Sequence, residues 1–234
     1  ADEAADRLDD QIAALQRNGI HKIELRSMDG KNVKLLSTSD AKKAAAALSA
    51  AGIAVHAIGS MLGKSQIAAD FDEEEKHLLH LLSLCEIFSC KRIRMFSFYG
   101  TTDADAGEVV RRLRILADTA EKVGVVLCHE NEKDVFGDTA ARVAYLLERV
   151  PKLASVYDPA NYIQVGETPD NMARLAERAT YYHIKDVLKT GELVPAGEGD
   201  GDIAGLIRSL REDAVLTLEP HLAVFSGYAA IDNH

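Results

Sequence analysis

The chain alternates short apolar runs, which are typical of buried strands, with longer amphipathic stretches. Seven candidate strands follow this pattern, at 21–26, 53–59, 92–98, 125–131, 153–159, 180–186 and 214–220. The stretches between them are rich in Ala, Leu, Glu and Arg, and 41–51, 72–89 and 107–123 carry apolar residues at helical spacing. Strands that recur roughly every thirty residues between helices are typical of βα units and predict a parallel sheet.

The ends of the predicted helices carry their own signals. Asp72 stands three residues before Glu75, a spacing that predicts an N-cap at the start of the helix over 72–89. Gly19, Gly52 and Gly124 each lie between a helical pattern and the next strand. A left-handed C-cap is favourable at such positions because glycine has no Cβ.

A parallel sheet flanked by helices is either an open doubly wound sheet or a closed barrel. The first strand lacks the GxGxxG fingerprint of dinucleotide folds, and the Gly-rich segment 196–201 follows no strand directly. The pattern therefore favours a (β/α)8 TIM barrel, and the length of 234 residues is close to the roughly 250 typical of that fold. No linker or break in composition divides the chain, so we expect one domain over 1–234.

Composition and charge exclude several classes of protein. Lys and Arg total 27 against 37 Asp and Glu, so the net charge is −10, and no basic run provides a surface for a nucleic acid. No apolar stretch is long enough for a membrane helix, and the N-terminal sequence does not resemble a signal peptide. Cys85, Cys90 and Cys128 have no zinc-site spacing, which is typical of reduced core thiols in a cytoplasmic protein.

Polar residues recur at the C-terminal sides of the predicted strands, where barrel enzymes build their active sites. They are Glu24, Arg26, His56, Arg94, Glu130, Asp158, His183, Lys185 and Glu219. The alternative interpretation is that strand ends approach solvent, where charged residues are normal.

Four of these residues occupy equivalent positions on four successive strands, namely Glu130, Asp158, His183 and Glu219. Carboxylates and imidazole suit Mn²⁺, Mg²⁺, Co²⁺ or Zn²⁺. Three carboxylates close together would repel one another without a cation. Period-2 alternation is consistent with inward orientation, since Thr217 and Glu219 share one face of the last strand. The sequence therefore predicts one divalent metal ion.

Other polar positions have two interpretations each. Lys185 contacts substrate oxygens or pairs with a nearby acid. Glu24 and Arg94 line the pocket or form an internal ion pair. His56 contacts substrate, although a histidine on an apolar strand is more often part of the core. Asn131 orients Glu130 or touches substrate.

The same strand ends resemble a known family. The segments in question are LCHENE (127–132), YDPAN (157–161), YHIKD (182–186), PAGEGDG (195–201) and LEPHL (218–222). In this order and spacing they resemble the xylose-isomerase-like sugar isomerase and epimerase barrels, and 60–64 and 93–100 resemble that family's second- and third-strand segments. The resemblance covers essentially the whole chain. It implies a (β/α)8 barrel with one divalent metal, whose ligands fall on Glu130, Asp158, His183 and Glu219.

The resemblance also implies a reaction. In such barrels two metal-bound glutamates, here Glu130 and Glu219, flank a substrate carbon and carry its proton through a metal-stabilised enediolate. Return of the proton to the neighbouring carbon gives isomerisation, and return to the opposite face gives epimerisation. Asn161 stands where better-studied epimerases of this group have a histidine, three residues after the metal-bound Asp, and is a candidate substrate contact.

The function expected from this resemblance is a metal-dependent isomerase or epimerase of a small sugar or sugar phosphate. A dehydratase of a cyclic polyol ketone would use the same metal site. An endonuclease IV-like nuclease would need several zinc ions and a positive docking face, which the net charge of −10 opposes. A non-catalytic, degenerate barrel would bind no metal. We expect a small-molecule substrate and no nucleic-acid or membrane partner, and a homodimer because barrels of this kind often pair.

The count of strands falls one short of eight. The chain opens on a helical pattern over 4–17 and stops soon after the last strand. We therefore expect a first strand and a closing helix of the barrel to lie beyond the two ends of this sequence. The alternative is a natural open barrel, which would expose two parallel edges that proteins usually avoid.

Overall fold

Seven parallel strands form a nearly closed barrel in the computed structural model, which describes residues 1–221. The strands are β1 (Lys22–Leu25), β2 (Ala54–Gly59), β3 (Arg92–Met95), β4 (Val126–Glu130), β5 (Ala154–Tyr157), β6 (Tyr181–Ile184) and β7 (Leu216–Leu218). Each strand pairs in parallel with its predecessor in the chain. The predicted (β/α)8 TIM-barrel class, with seven strands evident, is confirmed.

Helices connect successive strands on the outside of the barrel. They are α1 (Leu8–Arg17), α2 (Thr38–Ala50), α3 (Phe71–Ile87), α4 (Ala106–Glu121), α5 (Ala140–Arg149), α6 (Pro159–Gln164), α7 (Pro169–Ala176) and α8 (Ile203–Ser209). Two small hairpins pair Ser27–Met28 with Lys31–Asn32 and Asp186–Val187 with Leu193–Val194. Within residues 1–221, no helix combines the length and apolar character needed to cross a membrane.

Local signals in the sequence predict some of these boundaries correctly. Gly19, Gly52 and Gly124 all have positive φ, between 65° and 72°, as expected of residues that end a helix. The predicted N-cap at Asp72 is wrong, because α3 begins one residue earlier than expected. Asp70 caps the helix instead, and its Oδ1 accepts a hydrogen bond of 3.1 Å from the backbone N–H of Asp72.

The third strand is shorter than the predicted 92–98. It ends at Met95 because the backbone beyond it pairs with the loop that follows β2. The N–H of Phe96 donates to the carbonyl of Leu62 at 2.8 Å, and the N–H of Phe98 donates to the carbonyl of Gly63 at 2.7 Å. This short ladder fixes the loop after β2 against the top of the barrel.

Alternation along the strands separates two apolar layers. Outward side chains pack against the helices in the main core, and they include Leu25, Ile58, Ile93, Leu127 and Ile184. Inward side chains form a second cluster inside the barrel, made of Ala57, Cys128, Val156 and Tyr181. The inward positions nearest the C-terminal ends of the strands are polar, so the barrel carries a buried polar layer above an apolar one.

The barrel is joined between β1 and β7 by side chains. The described strands pair from β1 through to β7, and these two outer strands do not pair with each other. Arg26 Nη1 donates to Glu219 Oε1 at 2.9 Å, and Thr217 Oγ1 lies 3.5 Å from Glu24 Oε2. The expected lack of a closing helix after β7 concerns residues 222–234, which lie outside the described residues.

A buried histidine on α3 makes folding depend on pH. His77 is 7% exposed, its Nε2 has no hydrogen-bond partner, and burial lowers its pKa from 6.5 to about 4. The unfolded chain therefore binds more protons than the folded chain between these two values. The stability that the neutral ring supplies is complete above pH 6.5 and is lost as the pH falls towards about 4.

We expect His77→Leu to reduce the loss of unfolding free energy between about pH 7 and pH 5 by roughly 2 kcal/mol. Urea denaturation at a series of pH values measures this difference. His21 is exposed, and His21→Leu is the matched control for the replacement of a histidine by leucine. Equal slopes for the wild type and His77→Leu would contradict the assignment.

Candidate metal centre

Four residues from four neighbouring strand ends converge inside the barrel. Glu130 ends β4, Asp158 follows β5 as the N-cap of α6, His183 lies in β6 and Glu219 follows β7. One ligand atom from each lies within 4.8 Å of the others, and Glu130, Asp158 and His183 are buried. The geometry of a parallel barrel brings these inward-facing positions to one end.

The contacts of Nδ1 in His183 define the centre of this cluster. Nδ1 lies 3.0 Å from Glu130 Oε1 and 2.9 Å from Glu219 Oε2, but it is not aligned for a hydrogen bond with either oxygen. Asp158 Oδ2 is 2.8 Å from Lys185 Nζ and likewise lacks an aligned hydrogen bond. Buried polar atoms without such partners are rare in folded proteins. Three carboxylates and an imidazole with unused lone pairs fit one divalent cation.

Glu24 holds His183 from the opposite side. Its Oε2 lies 3.1 Å from His183 Nε2, an arrangement that directs Nδ1 towards the cluster. Burial alone would raise the pKa of Glu24, but His183 and Arg94 hold that pKa at about 2. Glu24 is therefore a buried anion in contact with the imidazole of His183.

Arg94 supplies positive charge beneath the cluster. Its Nε lies 3.0 Å from Glu24 Oε1 and 3.2 Å from Glu130 Oε2, and its Nη1 donates to the carbonyl of Ser60 at 3.2 Å. Burial would lower the pKa of Arg94, but Glu130 and Glu24 raise it above its usual value. Of the two interpretations of Glu24 and Arg94, the structure contains the internal ion pair.

The crowded acids also change the protonation of the cluster itself. Burial lowers the pKa of His183, but Glu130 and Glu24 more than offset this and raise the pKa well above its usual value. Burial raises the pKa of Asp158, and Lys185 offsets only part of that rise. A cation that binds at Nδ1 must therefore displace a proton, so proton and metal compete for this atom.

Asn131 fixes Asp158 through two hydrogen bonds to its backbone. Asn131 Oδ1 accepts from the N–H of Asp158 at 3.0 Å, and Asn131 Nδ2 donates to the carbonyl of Asp158 at 2.8 Å. Its amide is therefore engaged with Asp158 and not with the carboxylate of Glu130. Asn161 completes the network, because its N–H donates to Asp158 Oδ1 at 3.0 Å and its Oδ1 accepts from Lys185 Nζ at 2.8 Å.

His56 lies away from the cluster. It occupies the position at which the register between β1 and β2 shifts, and its ring packs edge-on against Tyr181 with the ring centres 5.1 Å apart. Tyr181 precedes His183 by two residues on β6, so this contact is one layer deeper in the barrel. Burial lowers the pKa of His56 to about 4 and keeps the ring neutral at pH 7.

Two features near the cluster do not follow from the sequence pattern alone. Arg26 donates a hydrogen bond to Glu219. The sequence feature that could have indicated this contact is that Arg26 shares a strand face with Glu24, two residues earlier. Lys64, after β2, lies 3.0 Å from Glu132 Oε2 and 4.1 Å from the centre of the Phe96 ring. These side chains place charge at the rim of the barrel end that holds the cluster.

The glycine-rich loop 196–201 surrounds a buried carboxylate of the chain itself. Asp186, two residues after the end of β6, accepts hydrogen bonds from the N–H groups of Gly197 at 2.9 Å, Gly199 at 3.0 Å and Gly201 at 3.1 Å. The N–H groups of these three glycines are therefore used by Asp186, and they hold the loop beside the segment that follows β6.

Comparison with protein families gives a match that spans most of the chain. The model of the xylose isomerase-like TIM barrel matches residues 12–223. A search of curated proteins found no match.

Solved structures of similar fold include proteins with different activities. The probable 3-DHS dehydratase AsbF from Bacillus anthracis has a TM-score of 0.78 and 20% identity, and the match covers 91% of this chain and 87% of that one. The 3-keto-D-glucoside 4-epimerase YcjR from E. coli has a TM-score of 0.71, 18% identity and coverage of 96% and 91%. The IolI protein with a bound zinc atom has a TM-score of 0.75, 16% identity and coverage of 93% and 85%. At these identities the likeness shows the fold alone.

The hydrogen bonds of Asn131 predict a measurable effect on cation binding. Because Asn131→Ala frees the backbone of Asp158, we expect it to weaken Mn²⁺ binding by about 10–100-fold. Isothermal titration of the metal-free protein with Mn²⁺ measures the affinity. Asn171, an exposed asparagine bound to Glu167, is the control, and Asn171→Ala should bind Mn²⁺ as the wild type does. Equal affinities for all three proteins would contradict this role.

Proposed function

The chain belongs to the xylose isomerase-like TIM barrel family, and from this premise we propose that it is a metal-dependent isomerase or epimerase of a small sugar or sugar phosphate. The observation that carries the proposal is the convergence of Glu130, Asp158, His183 and Glu219 at one end of the barrel. Family membership alone would not separate an active enzyme from a degenerate barrel. A set of four convergent ligands, three of them buried, favours the enzyme.

The proposed ligands of the ion are Glu130, Asp158, His183 and Glu219. A bound divalent ion would supply Lewis acidity, which polarises neighbouring carbonyl and hydroxyl oxygens of a sugar and acidifies the C–H between them. Glu130 and Glu219 are the carboxylates placed to take up that proton and to return it. Glu24 keeps the imidazole of His183 oriented, and Asn131 keeps Asp158 in place.

Lys185 and Asn161 are the proposed contacts for substrate oxygens. Lys185 Nζ lies 2.8 Å from both Asp158 Oδ2 and Asn161 Oδ1, so the ammonium group is held beside the cluster. Burial would lower the pKa of Lys185, but Asp158 raises it above its usual value, and the group stays charged. A fixed cation here would orient an alkoxide or a phosphate oxygen of the substrate.

Dehydration of a cyclic polyol ketone is the second candidate. It shares the first proton transfer and then expels a β-hydroxyl group as water. The likeness to a probable 3-DHS dehydratase brings this reaction into consideration. The leaving hydroxyl needs an acid, and Lys185 is a poor one because its pKa is raised. Isomerisation or epimerisation needs no such acid and is therefore our first choice.

Metal binding is the first test. We expect the purified protein to bind about one equivalent of Mn²⁺, Mg²⁺, Co²⁺ or Zn²⁺ per chain. The ion should raise the thermal midpoint, because a ligand that binds only the folded state stabilises it. Elemental analysis and thermal unfolding with and without EDTA measure both effects. A protein that binds none of these ions would contradict the proposed function.

The reaction is tested with a panel of sugars and sugar phosphates in D₂O, with the ion supplied. We expect a product of unchanged heavy-atom composition that carries deuterium next to the carbonyl, whereas loss of one water would indicate the dehydratase. Glu130→Gln and Glu219→Gln should each lower turnover by about 10²–10⁴-fold. The control is Glu73→Gln, which removes an exposed carboxylate paired with Lys76 on α3. Undiminished turnover in either variant of the cluster would contradict the assignment of that glutamate.

A further inference from the structure

The two glutamates of the cluster are held in the same way. Glu130 has Oε1 3.0 Å from His183 Nδ1 and Oε2 3.2 Å from Arg94 Nε. Glu219 has Oε2 2.9 Å from the same Nδ1, and its Oε1 accepts from Arg26 Nη1 at 2.9 Å. Each carboxylate therefore presents one oxygen to the proposed ion position and gives the other to an arginine.

The two arginines differ in how they are anchored. The side chain of Arg94 is 7% exposed and is also bound to Glu24, inside the barrel. The side chain of Arg26 is 32% exposed, and its Nε donates to Asp2 Oδ2 at 2.7 Å. Arg26 and Glu219 line a cavity of about 50 Å³ at the junction of β1 and β7, where side chains and not a backbone ladder join the strands.

At this junction, Glu219 is held by its own backbone and by the side chain of Arg26. Glu219 follows β7, a strand of three residues that pairs only with β6 among the described strands. The backbone therefore fixes Glu219 from one side. On the side of β1, Arg26 Nη1 donates a hydrogen bond to Oε1 of this carboxylate.

We propose that Arg26 is a positioning residue for the ion site. By holding Oε1 of Glu219, it leaves Oε2 as the single oxygen that Glu219 offers to the ion. A charge-assisted hydrogen bond of this kind has defined geometry, and outer partners of metal ligands typically change metal affinity by about 10–100-fold. This inference rests on the proposed function, because it assumes that an ion binds between Glu130, Asp158, His183 and Glu219.

Charge alone would give the opposite effect. A guanidinium group near a cation site repels the cation, so loss of Arg26 would strengthen metal binding if electrostatic repulsion dominated. Asp2 and Glu3, at 2.7 Å and 3.6 Å, balance much of the charge of Arg26, and solvent screens what remains. The positioning effect therefore dominates, and loss of Arg26 weakens binding. The sign of the change distinguishes the two effects.

The test is the affinity of the metal-free protein for Mn²⁺, measured by the electron paramagnetic resonance signal of the free ion. We expect Arg26→Gln to bind Mn²⁺ about tenfold more weakly than the wild type. Arg26→Lys keeps the positive charge but lacks the planar guanidinium group, so it should bind Mn²⁺ about threefold more weakly than the wild type. Arg211→Gln is the control, because it removes a positive charge whose ion pair is with Asp213 on the surface, and it should match the wild type.

A double-mutant cycle tests whether Arg26 acts through Glu219. In the Glu219→Gln background, Arg26→Gln should cause no further loss of affinity, since the carboxylate that Arg26 holds is already gone. Zn²⁺ with a competing indicator replaces Mn²⁺ if the double variant binds Mn²⁺ too weakly to measure. A further tenfold loss in this background would overturn the inference, as would Mn²⁺ binding by Arg26→Gln that equals or exceeds that of the wild type.

These outcomes separate the inference from the proposed function. A wild-type protein that binds no divalent ion contradicts the proposed function, and the inference fails with it. If the wild type binds Mn²⁺ and Arg26→Gln binds it with equal affinity, only the proposed role of Arg26 is contradicted. If thermal unfolding shows that Arg26→Gln does not fold, Arg26→Lys decides, and wild-type affinity in that variant overturns the inference.

Discussion

The compensation of buried carboxylates is the constraint on which this end of the barrel depends. Ligand atoms of Glu130, Asp158 and Glu219 lie within 4.8 Å of one another, and Glu24 lies on the other side of His183, where little water can solvate these acids. Like charges at such separations cannot all stay ionised without cations nearby. Two buried cations meet part of this requirement. Arg94 lies between Glu24 and Glu130, and Lys185 lies against Asp158. A divalent ion would balance the charge that remains.

The rest of the fold makes this crowding possible. The inward cluster that contains Cys128 and Tyr181 fills the barrel beneath the acids, so the polar layer lies on buried apolar side chains. Above it, Asn131 ties the end of β4 to the start of α6 through the backbone of Asp158. Rigid elements on both sides hold the carboxylates against their mutual repulsion. An engineered or natural ion site needs this kind of support to keep its geometry.

Alternation along strands made much of this arrangement predictable. It placed Glu130, His183 and Glu219 on inward faces, and the order of parallel strands then brought them together. The family resemblance and the barrel class were predicted correctly on the same segments. The hydrogen-bond partner of Asn131 was not predictable. Asn131 follows the end of β4, and side chains alternate between two faces only within a strand. The contact of Arg26 with Glu219 spans 193 residues and depends on how the two outer strands approach, which no local pattern specifies.

The contact between β1 and β7 differs in kind from the contacts between the other neighbouring strands that the structure describes. Elsewhere the wall is a ladder of backbone hydrogen bonds, whose strength hardly changes with the surrounding electrolyte. Here Arg26 and Glu219 close the wall with an ion pair, and dissolved salt weakens attraction between partly exposed charges. Among the described strands, the contact between β1 and β7 is thus the one made by charged side chains, and it lies beside the cluster of acids. Higher ionic strength should therefore weaken this contact more than it weakens the backbone ladders between the other described strands.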